Sequence, residues 1–596
     1  MIKQKGKKFS NLPPAFIKIL LKRIWILIKR NIKKIQFAFT KNAFLYNFYF
    51  DFLLDRKLNK SLITAAPLFN WNITKDFLKD TYSQFFPSSE NGAIISSEDI
   101  SNNIIPVLEN KKLHLGKDIE WQKDYRSGQK WSKHTFYTDI KYHEIPALDV
   151  KIPWEISRFQ HLIPLGKAYF LTDDERYPMK FVSHIENWLQ NNPYARGINW
   201  SCAMELALRT INWTFALAFF QNSPSVNSDF IKKFIIGIYL HGYHILRNLE
   251  GTPQLRSNHY LSDVIGLLFL GTYYPFIKES RRWQNKGHQA LIEEMEKQVY
   301  PDGVDFEAST TYHCLALELF TLGALTCRQA GLELPQRFWD HLEKMYEFLH
   351  QIIKPNGEVP QIGDNDSGRI FNFTDAPPTD RLHLMPIGAV LFSRREWKTH
   401  LTPPSEDLLW LMGIEAFNKY SEWDISPVPK LPVAFPDAGW YLIRDDEIYL
   451  LISCGLNGQN GNGGHAHNDK LSFELNMNGH DVIVDPGTYI YIPYPEWRNR
   501  FRSTRWHNTV CVDGEEQNRF IKRSLFCLEQ DAHTRCLRWD TSGSEQIFTG
   551  EHDGYARLPS PVIHRRTIRW DKSKRTIFIT DFLKTNSEHC YEISFH

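Results

Sequence analysis

The chain has 596 residues, with 71 Lys and Arg against 68 Asp and Glu, a net charge of +3 and an aromatic fraction of 14%. That length excludes a single hydrophobic core and calls for two or three domains. The eight cysteines, Cys202, Cys314, Cys327, Cys454, Cys511, Cys527, Cys536 and Cys590, form no C-x-x-C pair, which excludes a disulfide framework and a cysteine zinc site.

Charge is the first signal along the chain. The first fifty residues carry twelve Lys or Arg and no Asp or Glu, leaving a net −9 (three minus twelve) on residues 51–596. Within Phe16 to Phe39, Lys18, Lys22, Arg23, Lys29 and Arg30 recur at helical spacing opposite Ile17, Leu20, Leu21, Ile24 and Ile28. Such a helix either lies on an anionic membrane surface or docks on the protein body. Its uncharged heart is too short to span a bilayer, and no signal-peptide cleavage site comes after it. Peripheral membrane contact is therefore one expected partnership, and the missing export signal points to a cytoplasmic or membrane-peripheral place. Nothing in the pattern asks for nucleic acid.

Residues 42 to about 150 show no clear period and are expected to pack on the helical region C-terminal to them. From Pro153 to about Phe417 apolar residues recur at three-and-four spacing, in Ala203–Phe220, Phe230–Leu249, His259–Tyr274, His288–Val299, Ser309–Ala330 and Trp339–Ile353. Short linkers between many helices predict a helical-hairpin array, and the lack of a strict repeat disfavours a regular solenoid against a closed toroid. After Pro427 and Pro429 the pattern turns to strands, in Gly439–Cys454, Leu471–Asp485, Asn508–Val512 and Thr567–Phe582. The expected fold is α+β and multidomain: a basic leader over 1–60, a region packed on the helices over 61–150, the helical array over 151–425 and an antiparallel sandwich over 426–596. Tyr591 to His596 still read as strand, so the sandwich is expected to stop short of completion.

The densest chemistry is Gly464-His465-Ala466-His467-Asn468-Asp469, with a strand pair around Asn478-Gly479 and then His507-Asn508 after it. Asn-Gly is the strongest two-residue hairpin signal, so Met477 should face His480 and Asp485 should lie opposite Ser472. The glycine-rich loop at Asn462-Gly463-Gly464 gives the backbone freedom to curl over the sheet end. His467, Asp485 and His507 then offer two imidazoles and a carboxylate, a ligand set that suits zinc. Hydrogen-bonded sheet-edge residues fit the same pattern equally well. Two helix entrances add weaker signals, Arg256-Ser257-Asn258-His259-Tyr260 and Asp305 to His313. Asn258 or Ser309 can be read as an N-cap, and Tyr312 as a core aromatic.

Taken in order, Asp149 to Gln160, Asn258-His259, Glu307 to His313, Gln361 to Asp366 and His465 to Asp485 resemble the heparinase II/III-type polysaccharide lyases, from about Gly116 to the C-terminus. The resemblance implies an α/α toroid followed by an antiparallel β-sandwich, with the active site between them. It also implies a periplasmic place, zinc in a structural role, and an anionic uronate polysaccharide as substrate, cleaved by β-elimination. That reaction removes the C5 proton beside a carboxylate, so something must neutralise the carboxylate. By resemblance Asn258, helped by His259 or His465, does so. Tyr312 is the implied general acid toward the leaving 4-oxygen. In a syn elimination it is the base as well, which needs nearby positive charge or hydrogen bonds, from Arg256 or the histidines, because free tyrosine titrates at about 10. In an anti elimination a histidine is the base. His465 takes the catalytic place in the H-x-H pattern, while His467, Asp485 and His507 take the zinc places.

Two rivals remain. One is a toroid glycoside hydrolase using Asp364, Asp366 or Glu307 as paired carboxylates. The other is a silent polysaccharide-binding or capsule-assembly protein. The run Asp364 to Gly368 reads as a polar turn at the toroid rim, so a lyase is expected to survive Asp364→Asn.

Overall fold

The computed structural model describes residues 74–596, apart from 109–110, 143–147, 253, 375–376, 378 and 523. The basic segment Phe16 to Phe39 lies outside the described residues. Helices α1 (Lys75–Phe85) and α2 (Ser89–Ser101) lead into a small hairpin of β1 (Ile104–Val107) and β2 (Lys111–His114). The helical body comprises α3 (Lys151–Arg158), α4 (Leu162–Thr172), α5 (Arg176–Asn191), α6 (Ala203–Phe220), α7 (Ser228–Arg247), α8 (Asn258–Tyr273), α9 (Ser280–Gln298), α10 (Thr310–Gln329), α11 (Gln336–Ile352), α12 (Leu384–Phe392) and α13 (Glu406–Ser421).

Sequence sorts these helices into two layers. Helices α6, α8 and α10 are buried on nearly every face, whereas α5, α7, α9 and α11 bury one stripe and expose the other. A helix apolar all round belongs inside, and an amphipathic one covers it. Packing between the layers is tight enough to require glycine: a Cβ on Gly287 of α9 would come within 2.4 Å of the Val264 carbonyl of α8. The array also closes on itself. Lys167 of α4 lies 2.6 Å from Glu406 of α13, Tyr82 of α1 donates to the same carboxylate at 2.5 Å, and the Phe219 and Trp410 rings meet at 4.9 Å. The result is a ring rather than an open solenoid. All eight cysteines are free thiols.

The expected helices from Ala203 onward appear within a few residues of their bounds, except that α9 starts eight residues early, at Ser280. Its first turns hold Arg281, Arg282, Gln284, Asn285 and Lys286 around the buried Trp283, so the apolar stripe is too thin to read there.

Strands β3 (Val433–Phe435), β4 (Trp440–Arg444), β5 (Ile448–Ser453), β6 (Phe473–Met477) and β7 (His480–Ile483) form an antiparallel sheet in sequence order. After α14 (Pro495–Phe501) and β8 (Val510–Val512), strands β9 (Thr534–Asp540), β10 (Glu545–Tyr555), β11 (Val562–Asp571) and β12 (Thr576–Lys584) make a second sheet, and β13 (Tyr591–Ile593) pairs with β8. The two large sheets share a core in which Tyr441, Leu450 and Phe473 meet Phe548, Ile568 and Trp570. The first sheet also rests on the ring: the Tyr449 hydroxyl donates to the Ile352 carbonyl at 2.8 Å, and Phe348 meets Phe435 edge-on at 4.8 Å. Asn478 and Gly479 both take positive φ, 50° and 82°, as a type I′ turn demands. Met477 faces His480 as expected, but the register slips between Asn476↔Asp481 and Leu475↔Ile483. This β-bulge overturns the expected pairing of Asp485 with Ser472, because the extra residue in β7 leaves the end of that strand one step short along its partner. No helix among the described residues is long and apolar enough to cross a membrane.

Candidate active site

Two helix entrances and one sheet loop converge where the ring meets the sandwich. Ser309 caps α10, its hydroxyl accepting from the Tyr312 amide at 3.2 Å, which sets the Tyr312 ring at the helix mouth. Asn258 is not a cap; Ser257 precedes it as the N-cap residue of α8, and its side chain makes no capping bond. The orphan N–H groups at that end find Glu307 instead, which accepts from the Asn258 amide at 2.7 Å and from its side-chain NH2 at 3.1 and 2.9 Å. The loop before β6 locks onto this corner through Gln459, whose backbone N–H donates to the Phe306 carbonyl at 2.7 Å and whose side chain donates to Glu307 at 3.1 Å.

Asn258, His259, Tyr312 and His465 all line one cleft of about 290 Å³. Tyr312 and His465 stack face to face, 3.6 Å between centroids and 17° between planes. The Tyr312 hydroxyl has only a long contact, 3.5 Å, to the Tyr491 hydroxyl. Burial pushes the phenol well above its ordinary range, and Asp366, Tyr491 and Asp364 add to that push. Of the expected cations, His465 stands against the Tyr312 ring and Arg256 does not. The arginine is drawn away, 2.8 Å from Glu294 and stacked on Tyr260. Tyr312 is thus a buried phenol whose surroundings favour the protonated form.

The Asn258 amide also departs from expectation. Its NH2 is committed to Glu307, and its carbonyl oxygen is the atom left buried and unpartnered. An amide turned this way does not offer N–H to a carboxylate. An imidazole biased toward its charged form sits next door instead. His259 Nδ1 lies 2.6 Å from Glu250; burial opposes charge on the imidazole, but the neighbouring carboxylate outweighs it and raises the pKa. Glu250 in turn is held at about 2, burial being overcome by His259.

Asp364 is not a rim turn. It is fully buried, and Arg498 of α14 grips both its oxygens at 2.7 Å. The same oxygens meet His465 Nδ1 at 3.0 Å and His467 Nε2 at 3.1 Å. Burial penalises this carboxylate, yet Arg498 and the two histidines hold it well below the usual range. His465 is thereby fixed in the cleft with Nε2 left over, 3.4 Å from Glu307 and beyond good hydrogen-bond length. Asp366 is paired with Lys151. These two carboxylates are spent on ion pairs, which removes the paired-acid reading for Asp364 and Asp366.

His467, Asp485 and His507 come together behind Asp364, each offering a donor atom within 4.8 Å of the others. His507 Nδ1 lies 2.8 Å from Asp485, while His467 Nδ1 and His507 Nε2 are buried without partners. A ligating histidine normally anchors its other nitrogen on a carboxylate, which is what Asp364 does for His467. The trio therefore fits a metal ion. Glu250, Tyr491 and Arg498 carry no sequence signal that marks them for this site, and Asp364 and Glu307 enter it in roles other than the paired acids of a hydrolase.

Residues 81–375 match the heparinase II/III N-terminus family model, and residues 427–596 match the heparinase II/III-like C-terminal model. A heparin-sulfate lyase of Bacteroides stercoris is 25% identical over 500 residues, covering 78% of this chain and 68% of that protein. One of Pedobacter heparinus is 25% identical over 460 residues, covering 74% and 62%. Among solved structures, a heparinase III superposes with a TM-score of 0.65 at 19% identity over 94% of this chain and 78% of the other. The heparan sulfate lyase HepC of Pedobacter heparinus gives 0.52 at 22%, over 83% and 69%. With both models matched in order across most of its length, and the ring and sandwich in place, the chain belongs to the heparinase II/III-like family.

Proposed function

We propose that the chain cleaves a uronic-acid-containing polysaccharide of the glycosaminoglycan kind by β-elimination, a reading supported by relatives that carry the name heparin-sulfate lyase. The observation that carries this reading is the convergence of Asn258, His259, Tyr312 and His465 on one cleft. The His259 imidazolium faces the substrate carboxylate and steadies the charge that grows there when C5 loses its proton. His465 takes that proton through Nε2. The electron pair becomes the C4–C5 double bond, the C4–O bond breaks, and Tyr312 gives its proton to the departing oxygen. No water is consumed. Asn258 and Glu307 hold the floor of the cleft. The test is a panel of uronate polymers followed by ultraviolet absorbance: the conjugated unsaturated end should accumulate with at least one polymer, and absence of absorbance with all of them contradicts the reading.

Charge on His259 gives a pH signature. Its pKa stands above the ordinary 6.5, so the charged form is complete below that value and is lost as pH rises through the folded value. The expected kcat/KM profile falls on that alkaline side, and Glu250→Gln moves the fall to lower pH; a limb that ignores Glu250→Gln contradicts the role.

For the metal trio the proposed ion is zinc, whose preference for imidazole and carboxylate matches the donors. When bound it would cross-link the His467 loop, the end of β7 and the entry to β8, a structural duty. About one equivalent of zinc is expected by elemental analysis of the purified protein, lost in His507→Ala together with several degrees of Tm. Wild-type protein that remains metal-free in added zinc contradicts this.

A further inference from the structure

The segment from Asp485 to Phe501 has an inner and an outer character. Inward, Thr488 reaches Asp364 at 3.3 Å, the Tyr491 hydroxyl meets Tyr312, and Arg498 clamps Asp364. Outward, the residues between these anchors are large aromatics left in solvent: Tyr489 is 59% exposed, Tyr494 53% and Trp497 40%. They are not loose. Tyr489 packs edge-on to Trp497 and flat on Phe501, both at 5.7 Å, and the Arg500 guanidinium sits 4.9 Å over Trp497. Exposed aromatics grouped this way mark an interaction surface. Tyr491 and Ile492, in the middle of the same segment, line the cleft. The ledge is therefore continuous with the cleft wall.

We propose that this ledge is an outer sugar subsite, where Tyr494 and Trp497 stack on sugar rings of the same uronate polymer beyond the residue being cleaved, and Arg500 meets a uronate carboxylate. Chemistry selects the occupant. A polymer held by the cleft must leave it along the wall, sugar rings present flat C–H faces that suit aromatic stacking, and an acidic chain suits the guanidinium on the ledge. Trp497, already packed against Tyr489, loses little freedom on binding. The short helix α14 would thus serve both ends of the substrate, fixing the catalytic floor through Arg498 and gripping distant sugars through Trp497.

The inference rests on the lyase reading, and the test separates the two. Tyr494→Ala with Trp497→Ala, in the full chain, removes only exposed rings. Against a uronate polymer that the wild type cleaves, KM is expected to rise roughly tenfold with kcat unchanged, since stacked rings contribute about 2- to 13-fold each. Against the shortest oligosaccharide that is still cleaved, KM should not change. Equal KM values on the polymer, or equal losses on polymer and oligosaccharide, overturn the subsite. So does a change in sedimentation from dimer to monomer without a KM effect, which would assign the ledge to a second copy. Should the wild type cleave none of the polymers, the lyase reading fails first. Affinity electrophoresis in the same polymers still decides the ledge, with retardation of the wild type and its loss in the double variant supporting it, and no difference opposing it.

Discussion

Tyr312→Phe is expected to lower kcat by about 10²- to 10⁴-fold, the usual range for losing a general acid, while leaving the fold intact. The second half of that statement is the informative one. The hydroxyl has only the 3.5 Å contact to Tyr491, so its removal strands no strong partner, and the stack on His465 survives in phenylalanine. Melting temperature should stay within a few degrees of the wild type. KM should also stay close, because the proton is needed when the C4–O bond breaks and not when the polymer binds. A variant that loses turnover together with stability points to a packing role for Tyr312 instead.

Asp364→Asn should cost more, and in two ways. The carboxylate neutralises a buried guanidinium and receives both histidines of the H-x-H pattern. An amide leaves Arg498 charged and unpaired, for which the expected loss of stability is about 3–5 kcal/mol. It also loosens His467, and loss of such an outer anchor weakens metal affinity by about 10- to 100-fold. His465 loses the group that fixes its ring, so turnover falls even where the protein is kept folded at low temperature. Calorimetry, zinc titration and kinetics on the same sample separate these effects. Wild-type values in all three would contradict these roles for Asp364.

The contrast between these two residues shows what a linear sequence discloses. Tyr312 is legible because its neighbours are local: a capping serine three residues earlier, a helix with an apolar face, and an ordered family pattern around it. Asp364 is easily misread because everything that defines it is remote. Arg498 lies 134 residues away and His467 lies 103 residues away, and Asp-Asn-Asp-Ser-Gly is by composition a turn. The same reason hides the role of Glu307, which is to satisfy the start of a helix 49 residues upstream. It also misplaces Arg256, whose partner Glu294 lies on α9.

The fold divides along similar lines. Helices with a clean stripe or an all-apolar surface are visible from period alone, and the Asn478-Gly479 turn fixes its hairpin. Strands β9 and β10 escape notice because their alternation is disguised. In β10 the buried positions hold Gln546, Gly550, Glu551 and His552 beside Phe548, while the apolar Ile547 is only half-buried, so polarity does not track which side faces inward. The bulge in β7 is invisible for another reason: beside it Asp481 bonds to Asn476 across the sheet and to Lys354 of the ring, contacts that no local pattern discloses.

A cleft that breaks a C4–O bond by elimination consumes no water, and a hydrolase in the same ring would consume one at every cut. Digestion of a uronate polymer in water enriched in oxygen-18, with mass spectrometry of the new ends, tells the two apart most directly. Elimination predicts that the new non-reducing end is lighter by one water than the hydrolysed equivalent, carries the unsaturation and gains no heavy oxygen at the cut. A saturated non-reducing end that keeps its C4 hydroxyl, with heavy oxygen entering at C1 of the other fragment at each cleavage, would contradict the account.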